Sequence, residues 1–259
     1  MLLSETGFTF GGVHSRRDMG LIYIEKDGHI AIPEIRRNSY QIAGMSGTVL
    51  TDGEAWQPFG LEGTLVPAEE PATQAQAQAL LRDVTAWLTA GRKRLIFDYE
   101  PDKYYEAELS AAGRWSLRNW FGGELQIRFQ AQPFARNVTP SEASANLSDS
   151  GSVQLSVDTG LPAPLVLTVE NTGSATLRSV TVGGRIAFAD MQLLQGQVLT
   201  ISCEAPIGAV IGTGTNAMPY ASAFAPVYLD NGFNQVAVRL TYAGSGGQAR
   251  VTAQARGRW

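Results

Sequence analysis

The sequence predicts a mainly β protein of two domains, the first carrying one helix and the second built as a sandwich of short strands. Three observations carry this. Apolar and polar residues alternate with period two in many short runs broken by Gly, Pro, Asn and Asp, the pattern of half-buried strands. A single convincing helical period lies in residues 67–91. Charge then falls sharply: residues 1–136 hold 17 acidic and 14 basic side chains, residues 137–259 only 7 and 6, and Lys26, Lys93 and Lys103 all lie in the first part. With 259 residues and 44% hydrophobic content, the chain can bury two cores of ordinary size.

Residues 8–13 read as a strand closing in the Gly11-Gly12 turn. Residues 21–32 read as a hairpin, because Leu21-Ile22-Tyr23-Ile24 and His29-Ile30-Ala31-Ile32 flank Asp27-Gly28, a pair suited to a type I′ turn. Arg36, Arg37 and Tyr40 open a strand-and-loop region punctuated by Gly44, Gly47 and Gly53, and residues 61–66 form another strand. The helix is expected over residues 72–90, with Pro71 in its first turn and Glu69 and Glu70 near the positive end of its dipole. Gly91 and Arg92-Lys93-Arg94 stand at the other end. Leu80, Leu81, Val84, Trp87 and Leu88 share one face, so the helix packs on a sheet.

Three strand runs follow, at residues 94–99, 104–109 and 123–132, with Trp115 and Trp120 in the intervening segment. In the last run Leu125, Ile127 and Phe129 point one way while Glu124, Gln126, Arg128 and Gln130 point the other. Pro133 then ends the sheet, since proline cannot donate to the ladder. A β-barrel with one helix laid across it accounts for residues 1–136. Residues 137–150, rich in turn formers and small polar side chains, are expected to be a linker. Residues 151–259 contain strand runs at 153–157, 165–170, 179–182, 186–188, 198–203, 209–211, 224–228, 234–242 and 248–255, whose number and spacing argue a β-sandwich.

The sequence offers little chemistry. A net charge of −4 gives no basic field to gather nucleic acid. No run approaches the length of a membrane span, and the first residues lack a secretory pattern, so the chain is expected to remain soluble in the cytoplasm where it is made. The lone Cys203 excludes an intrachain disulfide framework and reads as a buried thiol. His14 and His29, the two histidines, have no partners at metal-ligand spacing. Arg16-Arg17 and Arg36-Arg37 stand among acids and read as a solvated or intersubunit rim rather than a phosphate patch. Asp98, Glu100, Asp102, Glu106 and Glu108 form the best enzyme candidate, an acid–base pair for a glycan. Glu106 and Glu108 share a strand face, however, and Arg94 and Lys103 stand by to pair with the acids, so a solvated or subunit-facing strand is the stronger reading. No catalytic, cofactor or metal site is expected.

A helix ending in Trp87-Leu88, a strand at 95–99, then Glu100-Pro101-Asp102-Lys103-Tyr104-Tyr105, and a final apolar strand running into Pro133-Phe134 together resemble the distal tail proteins of long, non-contractile-tailed bacteriophages. The opening Phe8-Thr9-Phe10-Gly11-Gly12-Val13-His14-Ser15 with Asp18-Met19-Gly20-Leu21 resembles that family's start, and Ile42-Ala43-Gly44-Met45-Ser46-Gly47 resembles its Pro-Gly-Arg-Asp-Gly loop, with alanine for the proline and serine for the acid. Val169-Glu170-Asn171-Thr172-Gly173, Val180-Thr181-Val182-Gly183-Gly184 and Asp230-Asn231-Gly232-Phe233-Asn234-Gln235-Val236 resemble its C-terminal galectin-like or carbohydrate-module-like sandwich.

The resemblance implies a tail-tube-like first domain and a structural virion protein at the phage tail tip. It implies a hexameric ring that joins the tail tube to the adsorption apparatus and leaves a channel for DNA. Its partners would be other copies of itself, the tail tube protein, the tail-tip hub and receptor-binding proteins. Complementary faces are needed wherever copies meet head to tail, which makes Arg94, Asp98, Glu100, Glu106, Glu108, Glu124 and Arg128 the candidate ring-interface residues. The alternative is a glycan-binding or glycan-cleaving accessory module, for which Tyr220, Phe224, Tyr228, Phe233, Tyr242 and Trp259 are the available stacking aromatics.

Overall fold

A computed structural model describes residues 7–25, 33–41, 43–44, 46–47, 49–112, 116–117 and 123–259. The chain divides into two compact units, Met1–Val138 and Thr139–Trp259.

The first unit runs β1 (Phe8–Phe10), β2 (Val13–His14), β3 (Leu21–Glu25), β4 (Ile35–Tyr40), β5 (Val49–Trp56), β6 (Phe59–Pro67), helix α1 (Gln74–Leu88), β7 (Lys93–Phe97), β8 (Lys103–Ala112), β9 (Ser116–Leu117), β10 (Gly123–Ala131) and β11 (Arg136–Asn137). One antiparallel path, β2-β1-β7-β8-β10-β6-β3, organises it; β9 joins β10, β11 joins β8, and β4 and β5 pair with each other. The register follows the alternation, with Leu125 opposite Leu65 and Phe129 opposite Leu61, because a slip of one residue would turn every apolar side chain to water. The return strand expected at residues 29–32 lies outside the described residues, as do its Asp27-Gly28 turn, Trp115 and Trp120.

The path is open, and among the described residues it does not close into the expected barrel. The two end strands of the path, β2 and β3, make no ladder with each other among the described residues. Side chains close the gap instead. Phe8 of β1 meets Tyr23 of β3 edge to face at 5.2 Å. Trp87 of α1 stacks on Phe8 at 5.4 Å and 14°, and its indole N–H donates to the Phe10 carbonyl at 2.9 Å.

The helix begins at Gln74 rather than residue 72 because Thr73 is its N-cap. The Thr73 hydroxyl accepts the Gln76 N–H at 3.3 Å, and the Gln76 carboxamide accepts the Ala72 N–H at 3.0 Å, a relative of the capping box. Pro71, Glu69 and Glu70 therefore precede the helix, and neither the first turn carries an acid nor the last a base. Ala77, Val84, Trp87 and Leu88 are the buried side chains of α1, Leu80 packs against the same core, and Leu81 is half-buried. Pro133 ends β10 as expected of it, but the sheet resumes in β11, where Arg136 lies opposite Tyr104.

The second unit runs β12 (Ser141–Leu147), β13 (Ser150–Val157), β14 (Ala163–Asn171), β15 (Thr176–Val182), β16 (Ile186–Phe188), β17 (Val198–Ser202), β18 (Gly208–Ile211), β19 (Thr215–Asn216), β20 (Ala221–Phe224), β21 (Tyr228–Leu229), β22 (Gly232–Ala243) and β23 (Ala249–Ala255). One sheet is β12-β23-β14-β17-β18-β19 with β21 on β14, the other β13-β22-β15-β16-β20. Leu165, Leu167 and Val169 of the first and Val180, Val182 and Leu240 of the second share one buried core, which makes this unit a sandwich.

Two expectations change here. The stretch expected to link the domains contains β12, paired along its whole length with β23 from Ser141 opposite Ala255 to Leu147 opposite Ala249. Ala143, Ala145 and Leu147 pack on the core while Glu142, Ser144 and Asn146 alternate outward, a period-two pattern that alanines carry faintly. The run at residues 224–228 is split between β20 and β21 because Pro226, between them, has no N–H for a ladder.

Asn171 ties one end of the sandwich together. It is fully buried; its carboxamide N–H groups donate to the carbonyls of Ala175 at 2.9 Å and Leu193 at 2.8 Å, and its oxygen accepts the Gly173 N–H at 3.2 Å. Gly173 in turn has no space for a side chain, since a Cβ would lie 2.4 Å from the Gly246 carbonyl oxygen. Asn171→Ala is expected to destabilise the unit by about 3 kcal/mol, because it strips partners from buried carbonyls. Gly173→Ala should cost about 2 kcal/mol through overpacking, whereas Gly208→Ala, with nothing within 4 Å, should stay within about 0.5 kcal/mol. Urea unfolding measures all three, and a loss below about 1 kcal/mol for Asn171→Ala would remove its role as the tie.

Candidate functional site

The face of the β7–β8–β10–β6 sheet turned away from the core gathers most of the predicted interface residues. Alternation puts Leu95, Ala107, Ile127 and Phe129 inward, leaving Arg94, Glu106, Glu108, Glu124 and Arg128 outward. Register brings Arg94 of β7 opposite Glu106 of β8, Glu108 opposite Gln130 of β10, and Arg128 opposite Glu62 of β6.

The charges are matched within the chain. Arg92 donates to Glu108 at 3.0 Å, Arg136 lies 3.5 Å from Glu106, and Arg128 lies 3.5 Å from Glu62. Arg94 sits over the buried ring of Tyr104, its guanidinium carbon 4.7 Å from the centroid. The backbone bulges between Arg128 and Phe129 where β10 meets β8, and the Ser110 hydroxyl donates to the Arg128 carbonyl at 3.0 Å. Beside it Pro58, Gly60, Ser110, Arg128 and Gln130 line a shallow depression of about 290 Å³. Gly60 lets the Arg128 guanidinium lie close, since a Cβ there would stand 2.6 Å from Nε and push the arginine aside. Glu124 is exposed opposite Ser116.

Asp98 and Glu100 are not part of this face. They lie in the corner after β7, where the Glu100 N–H donates to the Phe97 carbonyl at 3.0 Å and the Lys103 N–H to the Glu100 carbonyl at 3.2 Å. Both Asp98 oxygens lie within 3.2 Å of His14 Nε2. His14 Nδ1 accepts the N–H groups of Arg16 at 3.0 Å and Arg17 at 3.1 Å, which places the ring proton of the neutral imidazole on Nε2, donated to Asp98. Asp18 completes the loop: it accepts the His14 N–H at 2.7 Å and a bidentate pair from Arg17 at 2.9 and 3.0 Å. Burial raises the Glu100 carboxyl above its ordinary range. Burial also raises the hydroxyls of Tyr23, Tyr99 and Tyr105.

Of the candidate acid–base cluster, Asp98, Glu106, Glu108 and Asp102 are thus engaged by His14, Arg136, Arg92 and Lys103. Arg17, one of the four arginines of the candidate phosphate patch, is committed to Asp18; His29 and the Arg37 side chain lie outside the described residues. Among the described residues no group of three His, Cys, Asp or Glu side chains could hold a metal ion. Cys203 is buried, accepts the Val227 N–H at 3.3 Å, and has its thiol pushed up by burial. No helix is long and apolar enough to cross a membrane among the described residues.

Sequence reasoning missed a cavity of about 580 Å³ between the β1–β2 turn and α1, floored by Phe10, Val13, Met19 and Trp87 and rimmed by Asp18, Asp83, Ala86, Ala90 and Lys93. Its one signal was the small Ala86 and Ala90 beside the bulky Trp87.

No family model matches the sequence, and no curated protein matches it. Among solved structures, the chain is similar to the crystal structure of the Dit protein of phage SPP1, described as a paradigm of the hub adsorption apparatus in phages that infect Gram-positive bacteria. The two share 14% sequence identity at a TM-score of 0.66, over 98% of each chain. The likeness establishes a common fold, and the distal-tail resemblance read from the sequence has this structural counterpart.

The Arg17 pair and the His14 N–H hold the Asp18 carboxyl at about 2, below its ordinary 3.8. A depressed carboxylate contributes to folding above pH 3.8 and loses that contribution as pH falls through about 2. The Asp18 carboxyl carbon, followed by NMR, should therefore titrate with a midpoint near 2, and Arg17→Ala should move it upward. A midpoint at the ordinary value in the intact protein would show that the bidentate pair does not form in solution.

Proposed function

We propose that this chain is a distal tail protein of a long-tailed phage, a non-enzymatic virion component of the tail tip. It forms a ring, expected to be hexameric, that joins the tail tube to the tail-tip hub and leaves a channel for DNA. Other copies of itself, the tube protein, the hub protein and receptor-binding proteins are its partners. The observation that carries this reading is the correspondence to the SPP1 Dit protein over 98% of each chain, since it spans both units rather than one generic sandwich. The paired-sign face of β7, β8 and β10 supports the reading as well, because a balanced polar sheet can meet a neighbour without stranding a charge.

Within this reading the two units divide the work, with ring assembly in residues 1–138 and peripheral contacts in residues 139–259. Class averages of the purified protein by negative-stain microscopy should show closed rings with a central opening. A chain that stays monomeric at every concentration, and beside tube protein, sinks the reading. Residues 1–138 alone should still form rings; a folded but monomeric fragment would place part of the interface in the sandwich.

A second reading, glycan contact by the sandwich, has one observation in its favour. Tyr228, Phe233 and Trp259 are 45%, 69% and 43% exposed, and the Tyr228 ring lies 5.7 Å from the Arg258 guanidinium carbon. Cell-wall polysaccharide that shifts tryptophan fluorescence in the intact protein, and fails to do so in Tyr228→Ala, would bring this reading forward.

A further inference from the structure

The two ends of β7 are chemically opposite. At its start Arg92, Lys93 and Arg94 are all exposed, and Lys93 stands on the rim of the apolar cavity floored by Phe10 and Trp87. At its far end Asp98, Tyr99, Glu100 and Asp102 form an acidic corner. Tyr99 is 45% exposed and stacked flat on Phe97 at 5.2 Å and 9°, and the Asp102 side chain is 70% exposed. Six residue steps separate Lys93 from Tyr99, at most about 20 Å of strand.

The cavity rim carries two charges that make no ion pair among the described residues, Lys93 on the strand and Asp83 on the helix, while its other acid, Asp18, is held by Arg17. The floor is apolar and pre-formed. Trp87 is pinned by its hydrogen bond to the Phe10 carbonyl, and the Lys93 stem lies 3.2 Å from where a Gly11 Cβ would stand. Such a socket suits an aromatic side chain whose polar tip reaches an acid and whose neighbour supplies a carboxylate to a lysine. The corner at Tyr99 presents that combination: a tyrosine 45% exposed, with one face of its ring on Phe97 and its hydroxyl partly desolvated, followed by Glu100, whose carboxylate feels Lys103 but forms no salt bridge among the described residues.

We propose that a second copy of this chain docks head to tail, with the Tyr99–Glu100 corner of one copy entering the cavity between the β1–β2 turn and α1 of the next. Tyr99 fills the apolar floor, its hydroxyl donates to Asp83, and Glu100 pairs with Lys93. A contact between two different patches is heterologous, and it closes into a ring when the rotation from one copy to the next divides the full circle. The inference rests on the ring reading and names the surfaces that would make the ring.

A charge swap tests it by analytical ultracentrifugation and native mass spectrometry of the full chain. Lys93→Glu and Glu100→Lys should each weaken assembly at least 10-fold, and the double variant should recover it. The altered groups belong to no core, so an unchanged far-ultraviolet circular dichroism spectrum serves as the folding control, melting temperature being itself sensitive to assembly. A second measurement keeps Tyr99 and pairs Ala90→Cys with Pro101→Cys, an exposed position in the same corner; oxidation should give a ladder of covalent oligomers, since the native Cys203 is buried, and an assembled chain that gives no ladder overturns the interface. Rings that persist in both single variants overturn this interface and leave the ring reading standing. Single variants that dissociate without recovery in the double variant overturn the interface equally. A wild-type chain that never assembles overturns both.

Discussion

Trp87 is the residue on which the first unit turns. Among the described residues the main sheet does not close on itself, so something other than a ladder holds its two ends over a common core. Phe8 of β1 spans the gap to Tyr23 of β3, and the Trp87 indole fixes it there, stacked on Phe8, in edge contact with Phe10 at 6.4 Å, and anchored through its N–H to the Phe10 carbonyl. Phe8 also meets Tyr23, Phe97 and Phe129, so the ring fixed by the helix is the hub of an aromatic cluster drawn from β1, β3, β7 and β10. Aromatic pairs of this kind each add about 1 kcal/mol beyond the area they bury.

Much of this was legible in the residues, and what was not has physical causes. Period two in Leu125, Ile127 and Phe129 was strong because large apolar side chains alternated with charged ones, and the register followed. The same alternation in β12 was carried by alanines and read as a linker, since a methyl group says little about which side is wet. The helix was plain from Val84, Trp87 and Leu88, but its start was misplaced because prolines and acids outweighed a threonine and a glutamine three residues apart. Barrel closure is a property of edges far apart in sequence, and no local pattern distinguishes a closed sheet from a curled one. Most of the charged residues lie together on one sheet face, while Asp98 and Glu100 stand apart from it, because the chain leaves β7 at Phe97 and the alternation ends there.

The way that face satisfies itself changes how its charges should be viewed. Glu106, Glu108 and Arg128 each have an intrachain partner of opposite sign, and Arg94 lies on an aromatic ring. Exposed pairs of this type contribute little to stability. Their effect is on what the surface refuses: a like-charged or purely apolar partner would have to break them without recompense. The face therefore discriminates among neighbours more than it attracts them.

The basic start and acidic end of β7 have a kinetic side. Opposite charges fixed at the two ends of one short strand give the unit a surface dipole aligned with that strand, and two such dipoles orient each other before any atoms touch. Orientation of this kind raises the rate of productive encounter while leaving the lifetime of the contact to its apolar part. The reach of the effect is the Debye length, about 8 Å at physiological ionic strength and about 30 Å in dilute buffer. Assembly would then be fastest where salt is scarce and least prone to wrong-way encounters, with ionic strength acting as a throttle on construction rather than on the finished object.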